Sequence, residues 1–282
     1  GTQIRYKLEG LYADVQTNGS TPEIYANLSA SNTILFDNSN STIQERTAYY
    51  AVNEIHDHFI DVFPNYPTSG FLNQPLETNI DESGTCNAFF AGTSINFYEE
   101  GWNTTGTEYC EATGKIVDVV YHEYGHAINS YRYIGNSWGG GMDNGGLNEG
   151  FADVWAFTLT EDPILGIGFY QNNPTGFVRR FDIDKKVYPQ DLVGEVHADG
   201  EIIAGAFWDT YLNLGSMTQM IDLFKYTYDS GVDGSDGDEG AIYTDILLEV
   251  LYADDNDADI TNGTPNDLAI IEAFALHGIT LI

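Results

Sequence analysis

Val120-Tyr121-His122-Glu123-Tyr124-Gly125-His126 is the stretch on which the reading of this chain turns. It sits inside a segment, about 115–131, whose apolar positions predict a helix. Two histidines four residues apart lie about 40° apart around such a helix, so both imidazoles can reach one zinc ion. Glu123 falls between them in sequence, where its carboxylate can take a proton from metal-activated water. A His-Glu-x-x-His match arises by composition in roughly one chain in a hundred of this length, so chance does not explain it well. The competing reading is a buried helix whose two histidines are satisfied by hydrogen bonds.

Zinc in a catalytic site needs a third protein ligand and one open position. Asn148-Glu149-Gly150-Phe151-Ala152-Asp153 begins 22 residues past His126 and opens a second predicted helix, 147–160, which stops before Pro163. It offers Glu149 as the ligand. Asp153, one turn on, faces the same way and can accept a hydrogen bond from a ligand histidine. The alternative for both is an ordinary acidic first turn of a surface helix.

Outward from this core, the first 40 residues alternate apolar and polar positions and read as short strands. A helix from Ser41 to about Val62 follows, with Ser41 as its cap, and His56 and His58 on it read as packing or surface residues. Residues 85–99 suggest two strands joined at Ala91-Gly92. The Gly-rich stretch 139–146 is a loop, 197–214 and 217–230 look helical, and Asp233–Glu239 reads as a mobile surface loop. A last helix is marked by Thr264 as cap, Pro265 at its first position and Gly278 after its last turn. No linker or repeat divides the chain, and strands give way to helices along it, which argues for an α+β protein of two lobes.

Composition narrows the function. The 282 residues are 42% hydrophobic and carry 43 acidic against 10 basic side chains, a net charge of −33. A globular protein results, and nucleic acid or an anionic membrane is a poor partner because repulsion opposes binding. The charge suits a solvated acidic surface, and some carboxylates are calcium candidates. No apolar run is long enough to span a membrane. The start, Gly1-Thr2-Gln3-Ile4-Arg5, lacks a signal peptide, as expected of a mature fragment or of a cytosolic domain. Cys86 and Cys110 are the only cysteines. They form either one disulfide, closing a loop at about 3 kcal/mol in the chain-entropy model, or two buried thiols.

Four segments together resemble the thermolysin-like zinc metallopeptidases (gluzincins), most closely the fungalysin-like branch. They are Asp118-Val119-Val120-Tyr121-His122-Glu123, the Glu-x-x-x-Asp helix from Glu149 to Asp153, Glu195-Val196-His197-Ala198-Asp199-Gly200-Glu201, and Asn87-Ala88-Phe89-Phe90. The resemblance implies an α+β fold with a strand-rich N-terminal lobe, 1–132, ending in the zinc helix. It implies a mainly helical C-terminal lobe, 133–282, and a zinc cleft between the two. His197 would donate a hydrogen bond to the oxyanion of the transition state, oriented by Asp191 or Glu195. Asn87 and the Ala88 backbone would pair with an extended peptide, and Arg179 or Arg180 would bind a substrate carbonyl. In one respect the chain departs from the family: a tyrosine nine residues before the glutamate ligand is here Gly140, for which Tyr133 or Trp138 would have to compensate.

Asp255, Asp257 and Asp259 read either as calcium ligands or as an exposed acidic loop. Their alternate spacing begins many calcium loops, although the sixth-position glycine and distal glutamate of an EF-hand are missing. The resemblance marks Asp118 as a further calcium ligand, with Glu161 beside it. The expectation is a secreted, extracellular, monomeric endopeptidase acting on proteins and peptides, favouring bulky apolar residues after the cleaved bond, with an inhibitory propeptide preceding Gly1. Against it stand a zinc exopeptidase, which would need an anchor for a free peptide terminus, and a non-catalytic calcium-dependent binding module.

Overall fold

The computed structural model describes residues 3–27, 33–133, 141–173 and 175–281 of the chain. Two compact units are present, one formed by residues 1–127 and 166–178 and the other by 128–165 and 179–282.

In the first unit, β1 (Gln3–Lys7) and β3 (Glu23–Asn27) form an antiparallel pair around β2 (Ala13–Thr17), which joins a different sheet. Helix α1 (Ile43–Val62) opens with a capping box one residue later than the sequence suggests. Thr42, not Ser41, is the cap: its hydroxyl accepts the Glu45 N–H, and the Glu45 carboxylate accepts the Thr42 N–H at 2.6 Å. Ala48, Val52, Ile55 and Phe59 are fully buried, and α1 packs this face on β2 and β4 (Leu76–Glu82). The predicted pair in 85–99 is present as β5 (Ala88–Phe90) and β6 (Ser94–Tyr98), antiparallel to one another. Strand order is β2-β4-β6-β5, with the first three parallel and β5 at the edge. His56 is buried, stacked on the Tyr12 ring, with Nε2 3.0 Å from Asn73 Oδ1. A short hairpin, β7 (Gly101–Trp102) with β8 (Tyr109–Cys110), is stapled to the residue before Asn87 by the Cys86–Cys110 disulfide. Helix α2 (Val117–Arg132) carries the His-Glu-x-x-His motif, and its last turn from Ile128 clusters with the second unit.

The second unit begins its own helices with α3 (Gly145–Thr160), capped by Asn144, whose side chain accepts the Leu147 N–H at 2.7 Å. A two-residue ladder of β9 (Ile164–Leu165) and β10 (Arg179–Arg180) follows. Then come α4 (Val196–Leu214), α5 (Met217–Ser230), α6 (Glu239–Asp254) and α7 (Asp267–Ala275). Helix α6 has no counterpart in the sequence reading. The cap of α7 is Asn266 rather than Thr264, because Thr264 and Asn266 both bond the Asp254 carboxylate and delay the first turn. Phe151, Trp155, Phe207, Phe224 and Tyr228 are essentially buried and meet edge to face at 4.9–6.1 Å between ring centroids in most pairs. Such contacts add about 1 kcal/mol each beyond area burial.

The chain after α7 is tied to α4 by hydrogen bonds. His277 Nε2 lies 3.0 Å from Asp209 Oδ2, its Nδ1 donates to the Lys186 carbonyl, and Lys185 Nζ contacts both Asp209 oxygens at 2.6 Å. Burial acts to raise the Asp209 carboxyl, but His277 and Lys185 outweigh it and hold it below the usual range. A folded-state value below the unfolded one, about 3.9, means that this stabilisation is complete above about pH 4 and is lost as pH falls through the folded value. Asp209→Asn therefore lowers the thermal midpoint at pH 7, and the gap to the parent narrows below pH 4. Circular-dichroism melts from pH 2 to 7 measure it; a gap that does not change with pH would contradict this assignment.

Candidate metal centre

Helix geometry brings the two motif histidines together as their spacing predicts. His122 Nε2 and His126 Nε2 are 3.1 Å apart with the rings at 85° to one another. Two nitrogens bound tetrahedrally at about 2.05 Å from zinc would be about 3.3 Å apart, so the pair is set for one ion. Ligand atoms of His122, His126 and Glu149 all lie within 4.8 Å of one another, and no other converging group of three His, Cys, Asp or Glu side chains occurs among the described residues. Two imidazoles and a carboxylate are the donor set of a catalytic zinc site, so these residues fit the metal. Glu123 is buried beside them, 4% exposed.

Close helix packing sets Glu149 against His197. Where α3 and α4 cross, a Cβ on Gly150 would stand 2.7 Å from the Gly200 carbonyl oxygen and 2.4 Å from Ile203 Cγ2. A Cβ on Gly200 would stand 2.8 Å from the Gly146 carbonyl. With hydrogen there instead, the backbones approach until His197 Nε2 is 3.5 Å from Glu149 Oε1.

The remaining candidates separate. Of Asp191 and Glu195, it is Glu195 that meets His197, at 2.6 Å from Nδ1, while Asp191 accepts the Val187 N–H. Burial would raise the Glu195 carboxyl, but its bonds with His197 and the Ala198 N–H prevail and hold it below the usual range. Arg179 is buried and grips Asp153 through two bonds of 2.9 and 2.7 Å, with Glu149 at 3.9 Å, whereas Arg180 forks onto Asp182. Asp153 is thus a partner of Arg179. Asn87 is exposed just before edge strand β5, and its carbonyl accepts the Thr113 hydroxyl and the Tyr98 N–H.

Tyr133 does not offer a donor in place of Gly140. Its hydroxyl is spent on the Val232 carbonyl within a buried aromatic cluster, and burial pushes its pKa far above the ordinary value. Trp138 and Gly140 lie outside the described residues. Asp255, Asp257 and Asp259 each accept an N–H from two residues ahead, at 3.0–3.2 Å, and stabilise consecutive turns. Asp118 accepts the Gly166 N–H at 2.8 Å, and Glu161 is the left-handed cap of α3.

Sequence reasoning missed two groups that bind the start of α3. The acidic run Asp233–Glu239 is bound to the start of α3. Asp233 accepts the N–H groups of Asp143 and Asn144, and Asp236 that of Gly145, at 2.7–3.1 Å. Carboxylates at a helix N-terminus are favoured by its unpaired N–H groups and dipole, which is why an acidic run serves there. Asn129 is the other. Its position, seven residues past His122 on the same stripe of α2, was the available signal.

No protein-family model matches the chain, and no curated protein matches it. Among solved structures the fold is similar to the precursor of protealysin, a metalloproteinase from Serratia proteamaculans, with a TM-score of 0.63. Sequence identity is 15%, over 96% of this chain and 88% of that one. The likeness is one of fold: a mixed α+β architecture of this class is present, as the motif order implies.

Proposed function

We propose that the chain is a zinc-dependent endopeptidase of the thermolysin-like class, secreted, cleaving internal peptide bonds of proteins. The observation that carries this reading is the convergence of His122, His126 and Glu149 beside a buried Glu123. The protealysin precursor's fold and its description as a metalloproteinase support it. When bound, zinc would supply a Lewis acid that polarises the scissile carbonyl and acidifies water.

The chain's own residues perform the rest. Glu123 accepts the water proton and returns it to the departing amine. His197, oriented through Nδ1 by Glu195, donates from Nε2 to the developing oxyanion when both ring nitrogens carry protons, a bond worth about 3 kcal/mol of barrier. Arg179 neutralises Asp153 and lies 3.9 Å from Glu149, and this place beside a candidate ligand makes it, rather than Arg180, the arginine assigned to a substrate carbonyl. Edge strand β5, paired on one side by β6, leaves Asn87-Ala88 for an extended peptide to join as an added strand. The Cys86–Cys110 disulfide accords with an oxidising compartment. Placement in the fungalysin-like branch rests on the Glu195–Glu201 segment, and the preference for bulky apolar residues on the resemblance alone.

Casein hydrolysis by purified protein should stop on adding a zinc chelator and return with stoichiometric zinc. Metal analysis should give one zinc per chain; the calcium content of the same sample tests the roles of Asp118, Asp255, Asp257 and Asp259. Products from a peptide blocked at both ends distinguish endopeptidase from exopeptidase action. Full activity in the chelated protein would sink the proposal.

A further inference from the structure

Asn129 lies in the last turn of α2, three residues past His126, and is 1% exposed. Its Nδ2 donates to both the backbone carbonyl and Oδ1 of Asn148, at 2.9 and 2.8 Å. Its Oδ1 accepts the Tyr228 hydroxyl of α5 at 2.5 Å. Trp155 Nε1 of α3 in turn donates to the Tyr228 oxygen at 2.6 Å. Both amide hydrogens and a carbonyl lone pair of Asn129 are therefore used, in a relay that returns to α3 through α5.

Residue 148 is the immediate neighbour of Glu149. An amide on the histidine helix thus holds the backbone of α3 one residue from the third candidate ligand. Apolar packing allows α3 to slide by fractions of an ångström, but two directed bonds to one residue do not. Once buried, these donors lose water as an alternative partner, so leaving them unmade is costly. We infer that Asn129 is a positioning residue for the metal centre: it sets the spacing of α2 and α3 so that the Glu149 carboxylate meets the two imidazoles. This rests on the zinc reading above and extends it to a side chain that touches neither metal nor substrate.

The experiment compares parent, Asn129→Leu, Asn148→Ala and Tyr228→Phe. Leucine keeps the branched shape of Asn129 and removes its side-chain hydrogen bonds; Asn148→Ala removes one bond of the clasp; Tyr228→Phe removes the relay's far hydroxyl. For each folded protein, zinc affinity is measured by chelator competition, the visible spectrum after cobalt substitution is recorded, and the thermal midpoint is taken. Asn129→Leu should weaken zinc binding by about 10- to 100-fold, the range found when groups behind metal ligands are lost. Its cobalt spectrum should change, and the other two variants should move the same way by less. If Asn129→Leu does not fold, the two milder variants decide by the same readouts. Variants that melt earlier but keep the parent's zinc affinity and cobalt spectrum would overturn the inference and leave Asn129 a purely structural residue. A parent that binds no zinc would instead overturn the functional proposal itself.

Discussion

Replacing Glu123 by glutamine should lower kcat for peptide hydrolysis by about 10²- to 10⁴-fold, the contribution expected of a positioned general base. Glutamine matches glutamate in shape, so the buried site should keep its packing. It has no carboxylate to receive a proton, and so loses the chemistry alone. The variant should still bind one zinc per chain, melt near the parent temperature and bind substrate with a similar KM. Steady-state kinetics on a blocked peptide, with metal analysis of the same preparation, test all three. If the variant cleaves as fast as the parent, Glu123 is not the base. If it loses zinc as well as activity, the loss no longer reports on proton transfer.

The second large effect is expected from a single methyl group. Gly150→Ala places Cβ 2.7 Å from the Gly200 carbonyl oxygen and 2.4 Å from Ile203 Cγ2, where α3 and α4 cross. Ile203 is a side chain and can be shortened, but the carbonyl belongs to helix backbone and can only move with α4. The helices must separate, at a cost of about 3 kcal/mol, the upper end of usual overpacking penalties. Glu149 and His197 flank the crossing, so their 3.5 Å approach is lost with it. Thermal midpoint and kcat should both fall. Adding Ile203→Ala should not restore them, because the backbone clash remains. Full recovery in the double variant would show that the side chain alone sets the limit.

The chemistry of the centre was legible because most of it is local. His122, Glu123 and His126 share one helix, and the 3.6-residue repeat places them relative to one another whatever the rest of the chain does. Helices α3, α4 and α5 and the β5–β6 pair were readable on the same basis of short-range pattern and turn residues. Helix α6 was equally readable in principle, since Ile242, Tyr243, Ile246, Leu247, Val250 and Leu251 are its buried face. The acidic, Gly-rich run before it drew the reading toward a loop.

Other features could be decided only by residues far apart in sequence. Arg179 and Arg180 are adjacent and chemically identical, and only burial against Asp153, 26 residues away, distinguishes them. Glu195 and Asp191 were equal candidates until the start of α4 turned His197 toward one. The acidic run at 233–239 has a role only because the start of α3, about 90 residues earlier, presents N–H groups to it. Asn129 gains its partners from Asn148 and Tyr228, 19 and 99 residues on. The sequence by itself determined which atoms could hold a metal and activate water, because helix periodicity is a local property. Tertiary structure alone decided which charges and amides support them, because hydrogen bonds and close backbone contacts depend on distances that only packing sets.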